Sequence, residues 1–369
     1  MKHIVAVVAF VALAAPASAQ FGALTKGVKR AQQLQDLQIT DKEEQQIGAE
    51  VSGKIRERFG VVQDAAIHKY VGSVGLLLAQ ESTRPKLEWR FIVLDTDGVN
   101  AFAAPGGFVH ITRGALALIQ NEAELAGVLG HEMTHVTEKH TINAIKKSKG
   151  VNIAADEAGG GAKGAVLSAV AGRAYEMVIE NSFDRGDERE SDEKGQALAA
   201  KVGYAPGALA DFLARLAERN QNQKESNGLF ASHPAIKERI EEIGKDAKVF
   251  KSSALVEARY RARVKYEAKA ITDVPQAMEG SAGLAGGSPA KAPEKKEEAK
   301  TEEAPKKRGF GLGSLKRAVA PESQTAQVSA SGGARGVGPD RNAKGGPNPA
   351  LVTASISAAE LSDFKKGIA

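Results

Sequence analysis

The chain contains no cysteine among its 369 residues. Disulfides are therefore excluded, and a thiolate cannot serve as a metal ligand, so any bound transition metal would have to be held by histidine and carboxylate. A large excess of one charge is also missing: 50 basic and 45 acidic residues give a formal net charge of +5. That surplus is too small and too dispersed for a nucleic-acid protein, and no nucleic-acid partner is expected. Beyond the first residues no run reaches the ~20 apolar positions a bilayer span needs, so no transmembrane segment is expected after removal of the N-terminus. Histidine is sparse, with seven in the chain.

Two of those seven frame His131-Glu132-Met133-Thr134-His135. Histidines at i and i+4 share one helical face, one turn apart. Both imidazoles can then reach one Zn²⁺, with Glu132 beside the open position, which is the H-E-x-x-H arrangement of zinc hydrolases.

Met1-Lys2-His3 precedes the apolar run Ile4 to Leu13, and Ala17-Ser18-Ala19 follows. A basic start, a short apolar stretch and an A-x-A site predict a signal peptide over 1–19, with cleavage after Ala19. A periplasmic or secreted location follows, and the absence of cysteine at that site argues against a lipid anchor. Residues 20–272 carry regular apolar periodicity and suit one domain. Residues 273–354 turn to Pro, Ala, Gly and Lys, a composition expected to remain an extended, disordered tail. Residues 355–369, opening on the capping box Ser357-Ala358-Ala359-Glu360, predict a short helix with Leu361, Phe364 and Ile368 on its apolar side. Such a helix on a tether suits docking to an envelope or outer-membrane assembly partner.

Within the domain, Thr40-Asp41-Lys42-Glu43 is a capping box, and Ile67, Val71, Val74 and Leu78 mark a helix over 64–80. Trp89–Leu94 and Phe108–Thr112 read as strands. The helix opening at Asn121 continues through the zinc motif to about Ser148, and Gly159–Gly164 reads as a loop. Further helices are expected over 188–201, 208–220 and 234–245. Several helices around one small sheet make an α+β domain. His140, five positions past His135, would point away from the metal face of a continuous helix. His110 and His68 are assigned no chemistry.

A catalytic zinc takes a third protein ligand. Glu188 and Asp192 lie at i and i+4 on one predicted face. One can bind the metal while the other holds a ligating histidine, and spacing alone leaves open which does which.

Together with these residues, Asn100-Ala101-Phe102-Ala103-Ala104-Pro105-Gly106-Gly107, Gly203-Tyr204-x-Pro206 and Ser232-His233-Pro234 with Arg239 resemble zinc metallopeptidases of the HtpX and CAAX-prenyl-endopeptidase type, in the soluble branch similar to BepA and LoiP. The resemblance runs from about Asp41 to Lys245. It implies a mostly helical zincin-type domain with its small sheet beside the active-site helix. It also implies one zinc per chain on His131, His135 and Glu188, with Glu132 as the general base and Asp192 behind a ligand. His233 would assist catalysis as an oxyanion donor or cap the metal as a fourth ligand. Arg239, Asn100, Ala101 and Phe102 would contact an extended polypeptide substrate. Two departures are Ser191, where the family usually has alanine, and Lys139, where arginine is common. The implied function is an envelope zinc metalloendopeptidase acting on misfolded or misassembled proteins. The competing reading is a chaperone or assembly factor using the same cleft for binding.

Overall fold

The computed structural model describes residues 39–147, 162–180, 183–220, 233, 236–269 and 348–368. The expected signal peptide, Gly159–Gly161, Ser232, Pro234 and residues 273–347 lie outside the described residues.

Helix α1 (Asp41–Phe59) starts on the expected capping box: Thr40 N–H donates to Glu43 Oε2 at 2.9 Å, and Thr40 Oγ1 accepts from Glu43 N–H. Helix α2 (Ala65–Glu81) is capped by Asp64 and buries Ile67, Val71, Val74 and Leu78, the face its periodicity marks. Strands β1 (Arg90–Leu94), β2 (Ala101–Ala104) and β3 (Phe108–Thr112) form one sheet in the order β1-β3-β2. The β1–β3 pair is parallel and the β2–β3 pair antiparallel. Alternation divides the strands between two apolar clusters. Phe91, Val93 and Ile111 face one, with α2 beneath them. Ile92, Leu94, Phe102 and Phe108 face the other, with α1. Helices thus cover both faces, as a short sheet without a solvated side requires.

After α3 (Arg113–Leu118), the zinc-motif helix α4 spans Glu122–Thr137, with Asn121 Oδ1 accepting from Glu124 N–H. The expected continuous helix to Ser148 is not observed: the chain breaks and restarts as α5 (His140–Lys147). The hinge is Lys139, at φ 58°. Its ammonium lies 3.0 Å from the buried Glu44 carboxylate, and Arg84 donates to Val136 O at 3.0 Å. These tertiary ties, one to α1 and one to the loop after α2, offset the cost of a left-handed lysine and override local helix propensity.

Helix α6 (Ala162–Glu180) begins inside the stretch expected to be a loop, so Ala162–Gly164 are helical. It packs on α1 and on Phe102's side of the sheet. Helices α7 (Arg185–Val202), α8 (Ala208–Arg219), α9 (Ile236–Asp246) and α10 (Glu257–Arg263) follow.

The last described segment returns to the domain. Val61 N–H donates to Asn348 O at 2.7 Å, and α11 (Ala358–Lys366) lies along α2. Leu361 and Ile368 are buried, while Phe364 sits edge-on to Tyr70 and 4.0 Å below the Arg259 guanidinium. The apolar side expected to await a partner is therefore filled by this chain's own core. Leu361→Ala should destabilise the protein by about 2–3 kcal/mol in urea unfolding. An unchanged midpoint would mean that α11 adds nothing to the domain.

Candidate metal centre

The close crossing of α4 and α7 builds the centre. A Cβ on Gly130 would lie 2.9 Å from Gly195 O, and one on Gly195 would lie 2.8 Å from His131 N. Two glycines facing each other let the helix backbones meet, which sets the first turn of α7 beside the zinc-motif histidines. Asp184 caps that turn by accepting from Asp187 N–H at 2.9 Å.

His131 Nε2 and His135 Nε2 are 3.1 Å apart, and His233 Nδ1 is 3.2 Å from His131 Nε2. Glu188 Oε1 lies 2.9 Å from His233 Nδ1 and 3.5 Å from His135 Nε2. All four residues are buried, and their donor atoms lie within 4.8 Å of one another. Asp192, an acceptor only, takes a hydrogen bond from His131 Nδ1–H at 2.8 Å, which leaves the His131 Nε2 lone pair free to face the group. Lone pairs converging at such distances repel unless a cation lies between them. Glu132 adds a second sign: both carboxylate oxygens are buried and make no hydrogen bond among the described residues. Three nitrogens and a carboxylate suit zinc, so the residues present fit the metal.

Burial pushes the Glu132 carboxyl above the usual range, an effect the neighbouring His233 and His131 only partly counter. Burial also opposes ionisation of Glu188, but His233 and the zinc-motif histidines outweigh it and hold that carboxyl well below the usual range. His135 is pushed well down by burial.

Arg239 is 5% exposed. Its Nε–H and Nη2–H donate to the two Asp192 oxygens at 2.7 Å each, and Nη1 lies 2.8 Å from Glu188 Oε2. The guanidinium expected to hold substrate is engaged inside the protein, where it ties Asp192 to Glu188. Asn100, Ala101 and Phe102 are buried as well. Asn100 Oδ1 accepts from Ala101 N–H, and the Phe102 ring stacks on Phe59 at 5.6 Å. Ala103 and Ala104, further along the same edge strand, border with His135 a gap too narrow to admit water. A second cavity, with room for about one water, adjoins Glu132 and His233 and is walled by Val128, Leu209 and Leu213.

Several neighbours were not legible as site residues. Phe183 stacks on His135, with ring centroids 4.0 Å apart. His140 does not point away: its Nδ1 is 2.9 Å from His135 Nδ1, because the chain turns at Lys139 and brings the ring back. Positive φ at a lysine has no sequence signature. His110 and His68 lie elsewhere. His110 is fully buried against Ser52 Oγ, with its pKa lowered to about 3 mainly by burial. His68 bonds Val62 O.

Residues 65–247 match the model of peptidase family M48, a stretch that holds all four donors, Glu132 and Arg239. The chain is 30% identical over 200 residues to the putative beta-barrel assembly-enhancing protease of Vibrio cholerae, covering 50% of this chain and 40% of that protein. It is 26% identical over 212 residues to the beta-barrel assembly-enhancing protease of Escherichia coli, covering 54% and 42%. With the metalloprotease LoiP of Escherichia coli it shares 30% identity over 148 residues, covering 39% and 57%. The chain thus spans 40% to 57% of the length of these relatives. With the zinc-fitting donor set inside the matched stretch, residues 65–247 form a domain of peptidase family M48, whose members are zinc-dependent.

Proposed function

We propose that this chain is an exported zinc-dependent metalloendopeptidase. The observation that carries the reading is the buried Glu132 carboxylate, without a hydrogen bond among the described residues and 3.5 Å from His233 Nε2, beside four converging donors. His131, His135 and Glu188 would hold the metal, with Asp192 and Arg239 fixing the orientation of His131 and Glu188. Zinc bound there supplies Lewis acidity toward a carbonyl and an acidified water. Glu132 takes the proton of the attacking water and returns it to the leaving amine, and its raised carboxyl suits both halves of that transfer. β2 is an edge strand, so an extended polypeptide adding to it along Ala103 and Ala104 would pass His135.

The relatives' names place those proteins in beta-barrel assembly, and we extend this to misfolded or misassembled envelope polypeptides as substrates and to envelope assembly partners. Export rests on the N-terminal segment, and no helix of the described residues is long and apolar enough to cross a membrane.

A second reading has its own support. His233 sits inside the donor set, and the cavity beside Glu132 has room for about one water, far below the ~300–1,000 Å³ of usual ligand pockets. This favours a latent form in which His233 caps the metal, or a chaperone-like binder with weak hydrolysis.

The test is digestion of an unfolded protein by the purified chain, with chelator and with zinc restored. Cleavage that survives chelation would reject the reading. Absence of cleavage despite bound zinc favours the latent form, and His233→Ala should then release activity. Glu188→Ala should lower bound zinc from one per chain to well under half at micromolar metal. Full occupancy would remove Glu188 from the ligand set.

A further inference from the structure

Behind His135 a hydrogen-bonded chain runs from the metal centre to the surface. His135 Nδ1 is 2.9 Å from His140 Nδ1, and His140 Nε2 is 3.1 Å from Glu190 Oε2. Glu190 Oε1 is 2.7 Å from Lys194 Nζ, which also lies 2.7 Å from Glu138 at the end of α4. His140 is 3% exposed and Glu190 lies at the rim.

The direction of the protons in this chain is set from its outer end. A carboxylate only accepts, so His140 must present Nε2–H to Glu190. A neutral His140 then has a bare Nδ1, which can only accept. The facing His135 Nδ1 must therefore carry a hydrogen, and His135 Nε2 is left as a lone pair aimed at the other three donors. Reversing either ring would place a hydrogen where His135 must donate electrons. His131 reaches the same state by one step, through Asp192. Among the described residues no carboxylate bonds His135 Nδ1, and the His140–Glu190 pair supplies that function at one remove.

The structure assigns His140 and Glu190 as positioning residues that fix the ligating tautomer and ring orientation of His135. This rests on the proposal that His135 binds zinc through Nε2. It adds a requirement that the H-E-x-x-H motif does not contain: a histidine returned to the centre by the left-handed turn at Lys139, and a carboxylate from α7 that polarises it. Phe183, stacked on the His135 ring, supplies the matching restraint from the other side.

The experiment is zinc affinity, measured by competition with a chromophoric chelator, for wild type, His140→Leu, His140→Asn and Glu190→Ala. His140→Leu should bind zinc about 10–100-fold more weakly, the usual cost of losing a group that orients a ligand. His140→Asn keeps an acceptor near the Nδ1 position and should recover most of that loss. Glu190→Ala should weaken binding by about 10-fold, at the low end of the same range. Long-range ¹H–¹⁵N spectra of the zinc-loaded wild type should show His135 as the Nδ1–H form and His140 as the Nε2–H form. A purely structural role would lower the melting temperature of the metal-free protein without these tautomers or the asparagine rescue. Because His140→Leu removes a buried ring, Glu190→Ala decides if that variant folds poorly. Affinity within twofold of wild type for Glu190→Ala, or the opposite His140 tautomer, overturns the assignment. A wild type that binds no stoichiometric zinc instead removes the donor-set reading itself, and this assignment with it.

Discussion

Glu132→Gln should reduce hydrolysis of an unfolded polypeptide by about 10²–10⁴-fold, the range that a positioned general base contributes. Zinc content should remain one per chain, because Glu132 is not among the four donors. The substitution is close to isosteric. It removes the proton-accepting carboxylate and leaves a polar group in a buried place that already lacks hydrogen bonds among the described residues. Folding stability should therefore change little, or rise slightly, since burial disfavours the ionised carboxylate. The measurement is initial cleavage rate beside metal analysis and thermal melting on the same preparations. Equal cleavage by wild type and variant, with equal zinc, would exclude Glu132 as the proton carrier.

The second large effect is on stability. Arg239→Leu should destabilise the metal-free protein by about 3–5 kcal/mol, because Asp192 and Glu188 would stay buried without their cation. For a domain of this size that corresponds to a fall in melting temperature of roughly 10 °C. Saturating zinc should recover part of the loss by placing positive charge against Glu188. Arg239→Lys should fall between the two, since it restores the charge but not the two-pronged fork on Asp192.

The pH dependence of this deficit follows from the carboxyls. Burial alone would raise Asp192, but Arg239 and His131 outweigh it and lower its pKa. Glu188 is likewise held well below the usual range, by His233 and its neighbours against burial. A depressed folded pKa contributes stability above the unfolded pKa, and that contribution is lost as pH falls through the folded value. The gap between wild type and Arg239→Leu should therefore be widest near neutrality and narrow below about pH 4, where unfolded carboxyls take up protons. A gap that stays constant down to pH 3 would show that Arg239 acts through packing alone.

Local codes in the chain were legible. Thr40, Asp64, Asn121 and Ser357 each cap the helix they were expected to open, because a capping hydroxyl, carboxylate or amide acts within three residues. The strands Arg90–Leu94 and Phe108–Thr112 follow from β-branched and aromatic runs. The i, i+4 spacing of His131 and His135 needs only helix geometry to bring their Nε2 atoms together. Other features were hidden because distant partners decide them. The break at Lys139 depends on Glu44, nearly a hundred residues earlier. α11 folds onto Tyr70, Arg259 and the core, which composition after residue 273 does not reveal.

The sequence by itself determined that a two-histidine zinc motif sits on a helix, and that a carboxylate-bearing helix follows. Spacing along one helix carries that much information. Which carboxylate faces the donors and which grips His131 was decided only when Gly130 met Gly195 and fixed the rotation of α7 against α4. The same holds for Arg239, whose guanidinium serves the interior, and for His140, which a straight helix would have turned away. Each outcome depends on backbone rotations and close approaches between elements far apart in the chain. Those are set by packing, and local periodicity does not encode them.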